Sequence, residues 1–282
     1  MKQLLEVLEY NDLLLFKIDV IPFLQQNETE NNLSLGILNS LEDGGEKPLL
    51  MAAVLKNDKL SMVLLQTIPV QVIFSKPAGL TTQDYKILGS LLVKLNIPGI
   101  VGEKECGLAV MDAMSDHLQK KYAIGMNQRI YKLDHVTKAA APDGKLRILR
   151  HEDLSVVKEW VYLFHEEIDQ PIDREEAGKI AAAVIKKGCL HGWESKAKLV
   201  SMANISRPTK TNCTVTLVFT PKEERGFGFA SSCVSALSQK MLNQGFRSTS
   251  LYTDLDNPTS NKIYIEIGYK PIMDSVAVHF TE

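Results

Sequence analysis

At 282 residues and 45% apolar side chains, the chain has the length of about two ordinary domains and enough apolar content to give each a core. Its 32 Lys and Arg against 34 Asp and Glu leave a net charge of -2 and a pI near 6.3, which argues against a broad basic surface and against nucleic acid as a direct partner. No apolar run reaches the roughly 18 residues of a membrane span, and Glu6 and Glu9 interrupt the stretch where a secretory signal would have its apolar core, so no membrane partner and a cytoplasmic location are expected.

Residues 1–35 read as helical, in two amphipathic stretches broken near Pro22 and by the polar run from Gln25 to Asn32. Leu49–Lys56 and Leu60–Ile68 are apolar runs separated by Asn57-Asp58-Lys59, which is a hairpin signal. Val70–Ser75 predicts a short strand, and Thr81–Leu95 a helix starting from Thr81 and Thr82 as caps. Pro98–Val101 follows as a strand, Lys104–Tyr122 as a helix and Arg129–Leu133 as a strand. Ala139-Ala140-Ala141-Pro142-Asp143-Gly144, made of small residues, Pro and Gly, then reads as a flexible connector, dividing a domain over residues 1–140 from one over 146–282.

The second part repeats the order of the first. A strand at Arg147–Leu149 is followed by helices at Leu154–His165 and Arg174–Lys187, then by strands at Cys189–Glu194, Leu199–Ile205 and Thr214–Thr220. Pro221 ends the last of these, and Arg225-Gly226-Phe227-Gly228 leads into the helical pattern of Ala230–Gln244. A junction of this kind aims unpaired amides at one point, where the positive end of the helix dipole also lies, so a phosphate or diphosphate is the natural guest. Phe229-Ala230-Ser231 stands where a Walker A loop needs Lys-Ser or Lys-Thr, and Ser231 stands where a dinucleotide fold needs its third Gly. A plain strand-to-helix turn, with glycines used only for backbone freedom, is the alternative for the Gly-x-Gly taken alone.

Downstream, Ser248–Asp254 reads as a strand, and Asn257-Pro258 opens a short helix that Gly268 ends: Asn257 suits the cap, Pro258 the first turn and Gly268 the residue after the last turn. The final strand is Val276–Phe280. Cys106, Cys189, Cys213 and Cys233 are far apart and form no Cys-x-x-Cys pair, so neither a metal site nor a redox motif is indicated, and reduced thiols are expected.

Glu223-Glu224-Arg225-Gly226-Phe227-Gly228, together with Asn257, Ser260, Asn261 and Tyr264 in the following helix, resembles the GNAT acetyltransferases over residues 146–282. The run Leu251–Tyr264 is similar to a bacterial subgroup with a long N-terminal extension. Glu223 departs from the family pattern, which has Gln or Arg there. The resemblance implies a mixed α/β and α+β fold of tandem GNAT-like domains, each a mostly antiparallel sheet flanked by helices, and acetyl-CoA as co-substrate, with no metal. It also implies that Val218, Phe219 and Thr220 offer main-chain groups to the pantetheine arm and that Arg225, Gly226, Phe227, Gly228, Phe229 and Ala230 surround the diphosphate. Asn257, Ser260 and Asn261 would then hydrogen-bond along the arm or on the acceptor side.

Acetyl transfer by direct attack asks for a neutral amine, support for a developing oxyanion and a proton for the leaving thiolate. Tyr264 is the expected proton donor; its alternative is a core aromatic within Ile263-Tyr264-Ile265. Glu166 and Glu167, near His165 and Asp169, are candidates for the base, and their charge hints at a cationic acceptor, a small-molecule or peptide amine. A non-catalytic acetyl-CoA-binding or interaction module is the competing class. The N-terminal part has Phe74-Ser75-Lys76-Pro77-Ala78-Gly79-Leu80 where the Gly-x-Gly turn would be, and Pro77 removes a donor there, so this part is not expected to hold acetyl-CoA in the same way. Its expected roles are a wall of the acceptor cleft or a homodimer surface.

Overall fold

A computed structural model of the chain describes residues 5–42, 45–141 and 143–281. They form two compact units that are not contiguous in sequence. The first extends to Tyr131 and takes in Tyr252–Pro258 and the segment from Pro271 onward, and the second holds Lys132–Leu251 and Thr259–Lys270. The connector expected at 139–144 thus lies inside the second unit, with Pro142 outside the described residues. Lys138–Ala141 is anchored rather than loose: the Ser235 hydroxyl donates to the Lys138 carbonyl at 2.5 Å, and the Ala141 amide donates to the Ser232 hydroxyl at 3.2 Å.

The first unit runs β1 (Leu5–Glu9), α1 (Leu13–Leu24), α2 (Asn32–Ser40), β2 (Leu50–Lys56), β3 (Lys59–Ile68), β4 (Gln71–Phe74), α3 (Thr82–Leu92), β5 (Gly99–Glu103), α4 (Lys104–Leu118) and β6 (Tyr122–Leu133). The second runs β7 (Gly144–Ile148), α5 (Leu154–Glu167), α6 (Arg174–Lys186), β8 (Leu190–Ser195), β9 (Lys198–Ser206), β10 (Asn212–Phe219), α7 (Phe229–Asn243), β11 (Ser248–Asp254) and α8 (Pro258–Ile267). The last strand, β12 (Lys270–Phe280), belongs almost wholly to the first unit.

Each unit has the same plan. β1, β2, β3 and β4 pair antiparallel in succession and β5 then joins β4 in parallel. In the second unit β7, β8, β9 and β10 pair antiparallel and β11 joins β10 in parallel. Two helices follow the first strand, one joins the fourth strand to the fifth, and one follows the fifth. This is the tandem, mostly antiparallel architecture expected from the sequence. In the first unit β12 lies beside β5, from Ser275↔Glu103 to His279↔Gly99, and β6 follows it in the strand order.

Burial explains the layering. Along β3 the side chains of Met62 and Leu64 join a core with α3 and α4, and Val63 and Leu65 join a core with α1 and α2, so an unbroken apolar run serves both faces of one strand. In the second unit Leu190, Met202 and Phe219 pack under Val157, Trp160 and Val161 of α5 and Ala177 and Ala181 of α6.

The hairpin at Asn57-Asp58 is a two-residue turn with φ of 51° and 63°, the left-handed pair that matches strand twist. Three sequence expectations are corrected. Leu5–Glu9 is a strand rather than part of a helix, because it pairs with β2 from Leu5↔Lys56 to Glu9↔Ala52. Pro22 sits inside α1 instead of breaking it; the carbonyl it leaves without a helical donor is that of exposed Ile18, which water can reach. Tyr122–Gln128 is the first half of β6, where a helix end and a loop were expected.

Candidate active site

Of the sequence-predicted residues of the second unit, Val218–Thr220 and Arg225–Ala230 lie at and just beyond the end of β10, and Glu167 is tied to them through Arg225. Between Thr216↔Asn204 and Phe219↔Met202 the β9 register shifts, so that Leu217 and Val218 together face one residue of β9. Leu217 takes φ of 51°, a left-handed conformation that costs a non-glycine residue about 1 kcal/mol. The parallel ladder to β11 joins Asn212–Thr214 to Ser248–Ser250, while β10 continues to Phe219. A bulge of this kind re-aims the main chain at Leu217 and Val218. Nothing in Thr216-Leu217-Val218 signals it in the sequence.

Phe219 and Thr220 are buried and tied to the sheet. Ser201 donates its hydroxyl to the Phe219 carbonyl at 3.1 Å, and Thr220 donates its own to Ser201 at 2.9 Å. The Phe219 ring packs on Trp160 with centroids 5.9 Å apart. After Pro221 a single 3₁₀ turn, Lys222–Glu224, brings the chain to Arg225, and Glu224 pairs with Lys198.

From there the backbone alternates: Arg225 is extended, Gly226 has φ of 84° and Gly228 φ of 77°, and α7 begins at Phe229. Both glycines occupy the left-handed region in which a side chain is strained, and nothing lies within 4 Å of the position a Cβ would take at either. No side chain caps α7. The first amides of the helix therefore look outward with the positive end of the dipole behind them, beside open space.

Arg225 does not reach over that space. Its Nε donates to the Thr220 carbonyl at 2.8 Å, and one terminal nitrogen donates to both carboxylate oxygens of Glu167 at 2.7 Å. Glu167 is the last residue of α5, so the pair ties the end of that helix to the glycine turn. Glu166 is exposed and makes no ion pair among the described residues. Phe227 is 70% exposed at the tip of the turn.

Tyr264 lies on α8, 8% exposed, edge-on to Tyr269 with centroids 6.1 Å apart. Its hydroxyl makes no hydrogen bond among the described residues. Burial pushes its phenol up to about 12, so the proton is retained throughout the neutral and mildly alkaline range. Tyr269, by contrast, is anchored: its hydroxyl meets Ser238 and Thr249, each at 2.8 Å. Ser260 and Asn261 are on the first turns of α8 in the second unit, and Asn257 closes the Tyr252–Pro258 segment of the first. Gly268, at φ of 119°, ends α8.

A groove of about 560 Å³ between the start of α5 and Arg174 of α6 shares no residue with the turn, so it is a separate surface feature. Among the described residues no cluster of His, Cys, Asp and Glu could hold a metal ion, and no helix is long and apolar enough to cross a membrane. The four cysteines are free.

The comparisons with known proteins agree with this geometry. Residues 195–278, which contain the bulge, the turn and α8, match the family described as FR47-like protein. No curated protein matches the sequence. Among solved structures, a GNAT-family acetyltransferase from Colwellia psychrerythraea is similar at 15% identity, with 98% of each chain covered and a TM-score of 0.58. A GCN5-related N-acetyltransferase from Sphaerobacter thermophilus is similar at 13% identity and TM-score 0.65, over 98% of this chain and 95% of that one. A tandem GNAT protein from the clavulanic acid biosynthesis pathway is similar at 13% identity and TM-score 0.58, over 99% and 98%. The chain thus shares the tandem fold of these GNAT acetyltransferases, and its segment around the glycine turn and α8 matches the FR47-like family.

Proposed function

We propose that the protein transfers an acetyl group from acetyl-CoA to a primary amine of a small molecule or peptide, by direct attack and without a metal. The observation that carries this reading is the turn from β10 into α7, with an uncapped helix start and two left-handed glycines facing open space. That is a fit for a diphosphate, because a main-chain cradle of this type accepts anionic oxygens without any side chain in the way.

Bound there, acetyl-CoA supplies an activated acetyl thioester. Val218, displaced from the β9 ladder by the bulge, pairs with the pantetheine arm as an added strand would. Asn257, Ser260 and Asn261 add polar contacts along the arm and the acceptor side. Tyr264 gives its proton to the departing sulfur; a buried phenol with its hydroxyl unengaged is protonated at neutral pH and ready to donate. Glu166 and Glu167 attract the cationic acceptor and take its ammonium proton. Of the two, Glu166 is the freer, since Glu167 must first leave Arg225. Four free thiols and the absence of a disulfide pairing among them suit the reducing cytoplasm in which we place the reaction.

The test is thiol release from acetyl-CoA across a panel of amines, paired with calorimetric titration of acetyl-CoA alone. Turnover on any amine supports the transferase. Tight binding with no turnover on every amine favours a binding module, and no binding at all overturns both.

A further inference from the structure

The geometry points to Phe227, backed by Phe229, as the platform on which the adenine of the coenzyme stacks: a specificity-determining residue that reads the nucleotide end of the acyl carrier. This rests on the acetyl-CoA reading and adds to it. Phe227 is the most exposed of the large apolar side chains among the described residues, at 70%. Its neighbours on both sides are glycines with nothing within 4 Å of where a Cβ would be, so no side chain flanks it along the turn itself. The rings of Phe227 and Phe229 have centroids 5.7 Å apart and planes tilted by 30°, which makes an offset apolar ledge rather than an edge-on core pair.

The ledge starts at the same residues as the anion cradle, since Phe229 is the first residue of α7. A flat apolar face adjoining a main-chain phosphate site is the recognition chemistry of a nucleotide: amides take the phosphates and the ring takes the base by stacking. A small anion would need the cradle alone, and an interior aromatic would not be left in water. The first unit provides an internal control. Its corresponding segment, Ser75-Lys76-Pro77-Ala78-Gly79-Leu80-Thr81, has its amides largely engaged and carries no aromatic residue. In the first unit neither the ring nor the open cradle is present.

Stacking of a base on an aromatic side chain is of a size that its loss shows as about a tenfold change in affinity. The full-length protein and its Phe227→Ala and Phe227→Trp variants are titrated calorimetrically with CoA, with adenosine 3′,5′-bisphosphate and with 4′-phosphopantetheine, after circular dichroism has shown the fold unchanged. Phe227→Ala should weaken CoA and the bisphosphate about tenfold and leave 4′-phosphopantetheine unaffected. Phe227→Trp should keep CoA affinity, with its emission quenched by the bisphosphate. An equal loss for all three ligands, or no loss for any, would overturn the platform while leaving the coenzyme reading intact. If the unaltered protein binds none of the three, the coenzyme reading falls and the platform with it.

Discussion

Between β4 and α3 the protein answers most of its own amides, whereas between β10 and α7 it answers those of Glu224 and Arg225 and leaves the ones from Gly226 into the start of α7 without a side-chain or main-chain acceptor among the described residues. In the first turn the Ser75 amide donates to the Val63 carbonyl at 2.9 Å, Lys76 to the side chain of Asn31 at 2.7 Å and Ala78 to the Ser61 carbonyl at 2.8 Å. Pro77 has no amide to offer. Thr81 caps α3 in a reciprocal box with Asp84, whose carboxylate also takes Lys56 at 2.8 Å. The second turn has no cap and has left-handed glycines at Gly226 and Gly228. One topology thus yields a sealed helix start or a receptive one according to a handful of residues. What makes a helix N-terminus an anion site is the absence of an internal acceptor, not the helix itself.

The sharpest break of this comparison lies on the helix after each parallel strand. α4 has no tyrosine, while α8 holds Tyr264 with its hydroxyl unengaged. Tyr264→Phe should lower turnover by about 10²-fold or more with the acetyl-CoA dissociation constant unchanged, as measured by steady-state kinetics and calorimetry. Its pH behaviour has a defined sign. The phenol is near 12 in the fold against an ordinary 10.0, so the unfolded chain releases the proton first, and stability falls as pH rises from about 10 towards 12. Thermal unfolding in that window should fall less steeply in Tyr264→Phe.

Next in size is the conformation of the turn. Gly228→Val puts a β-branched residue at a φ of 77° and should weaken acetyl-CoA binding about 100-fold, whereas Gly79→Val, at a φ of 68° in the sealed turn, should cost stability and leave coenzyme affinity unchanged. Equal losses of affinity for both would erase the distinction between the two turns.

Asp84→Ala opens the sealed turn and leaves Lys56 without its partner. It should cost about 3 kcal/mol in urea unfolding, because both side chains are largely buried, with no change in coenzyme affinity. Burial works against the Asp84 carboxylate, but hydrogen bonds from Lys56 and from the Thr81 side chain and amide outweigh it and hold its pKa below the ordinary carboxylate value. The contribution is therefore present at neutral pH and is lost as pH drops below about 4, an acid sensitivity that Asp84→Ala should remove.

The smallest effect is expected at the ion pair of the open turn. Arg225 and Glu167 are 44% and 35% exposed, so their pairing is worth under about 1 kcal/mol. Glu167→Gln should free the guanidinium for the diphosphate and tighten acetyl-CoA by a few-fold; a weaker affinity would place Glu167 on the coenzyme side instead.

Much of the scaffold was legible from residues close in sequence. Asn57-Asp58 marked its hairpin, Thr81 its helix cap, Pro258 and Gly268 the two ends of α8, and the repeated order of elements the tandem plan. The matching hairpin at Lys196-Ala197 has the same left-handed pair, with φ of 49° and 62°, but no turn residue announces it; the pairing of β8 with β9 imposes it. The same holds for β1, which propensity placed in a helix and which is a strand only because β2 lies alongside. In the candidate site the glycine turn and Tyr264 were visible as residue types. The bulge at Leu217, the Arg225–Glu167 tie and the exposed ledge of Phe227 were not, since each depends on what lies across a strand pair or on what fails to cover a side chain.

The amino-acid order alone determined many of the element boundaries, that two similar halves follow one another and that one turn, not the other, carries paired glycines, because these rest on backbone conformation within a few residues. Tertiary structure decided which amides are left unanswered, which strand acquires a bulge and which half receives the final strand β12. Those outcomes depend on partners far apart in the chain, as in the Arg129–Asp274 pair, 145 residues apart, that fastens β6 to β12 within the first unit, and no local pattern encodes them.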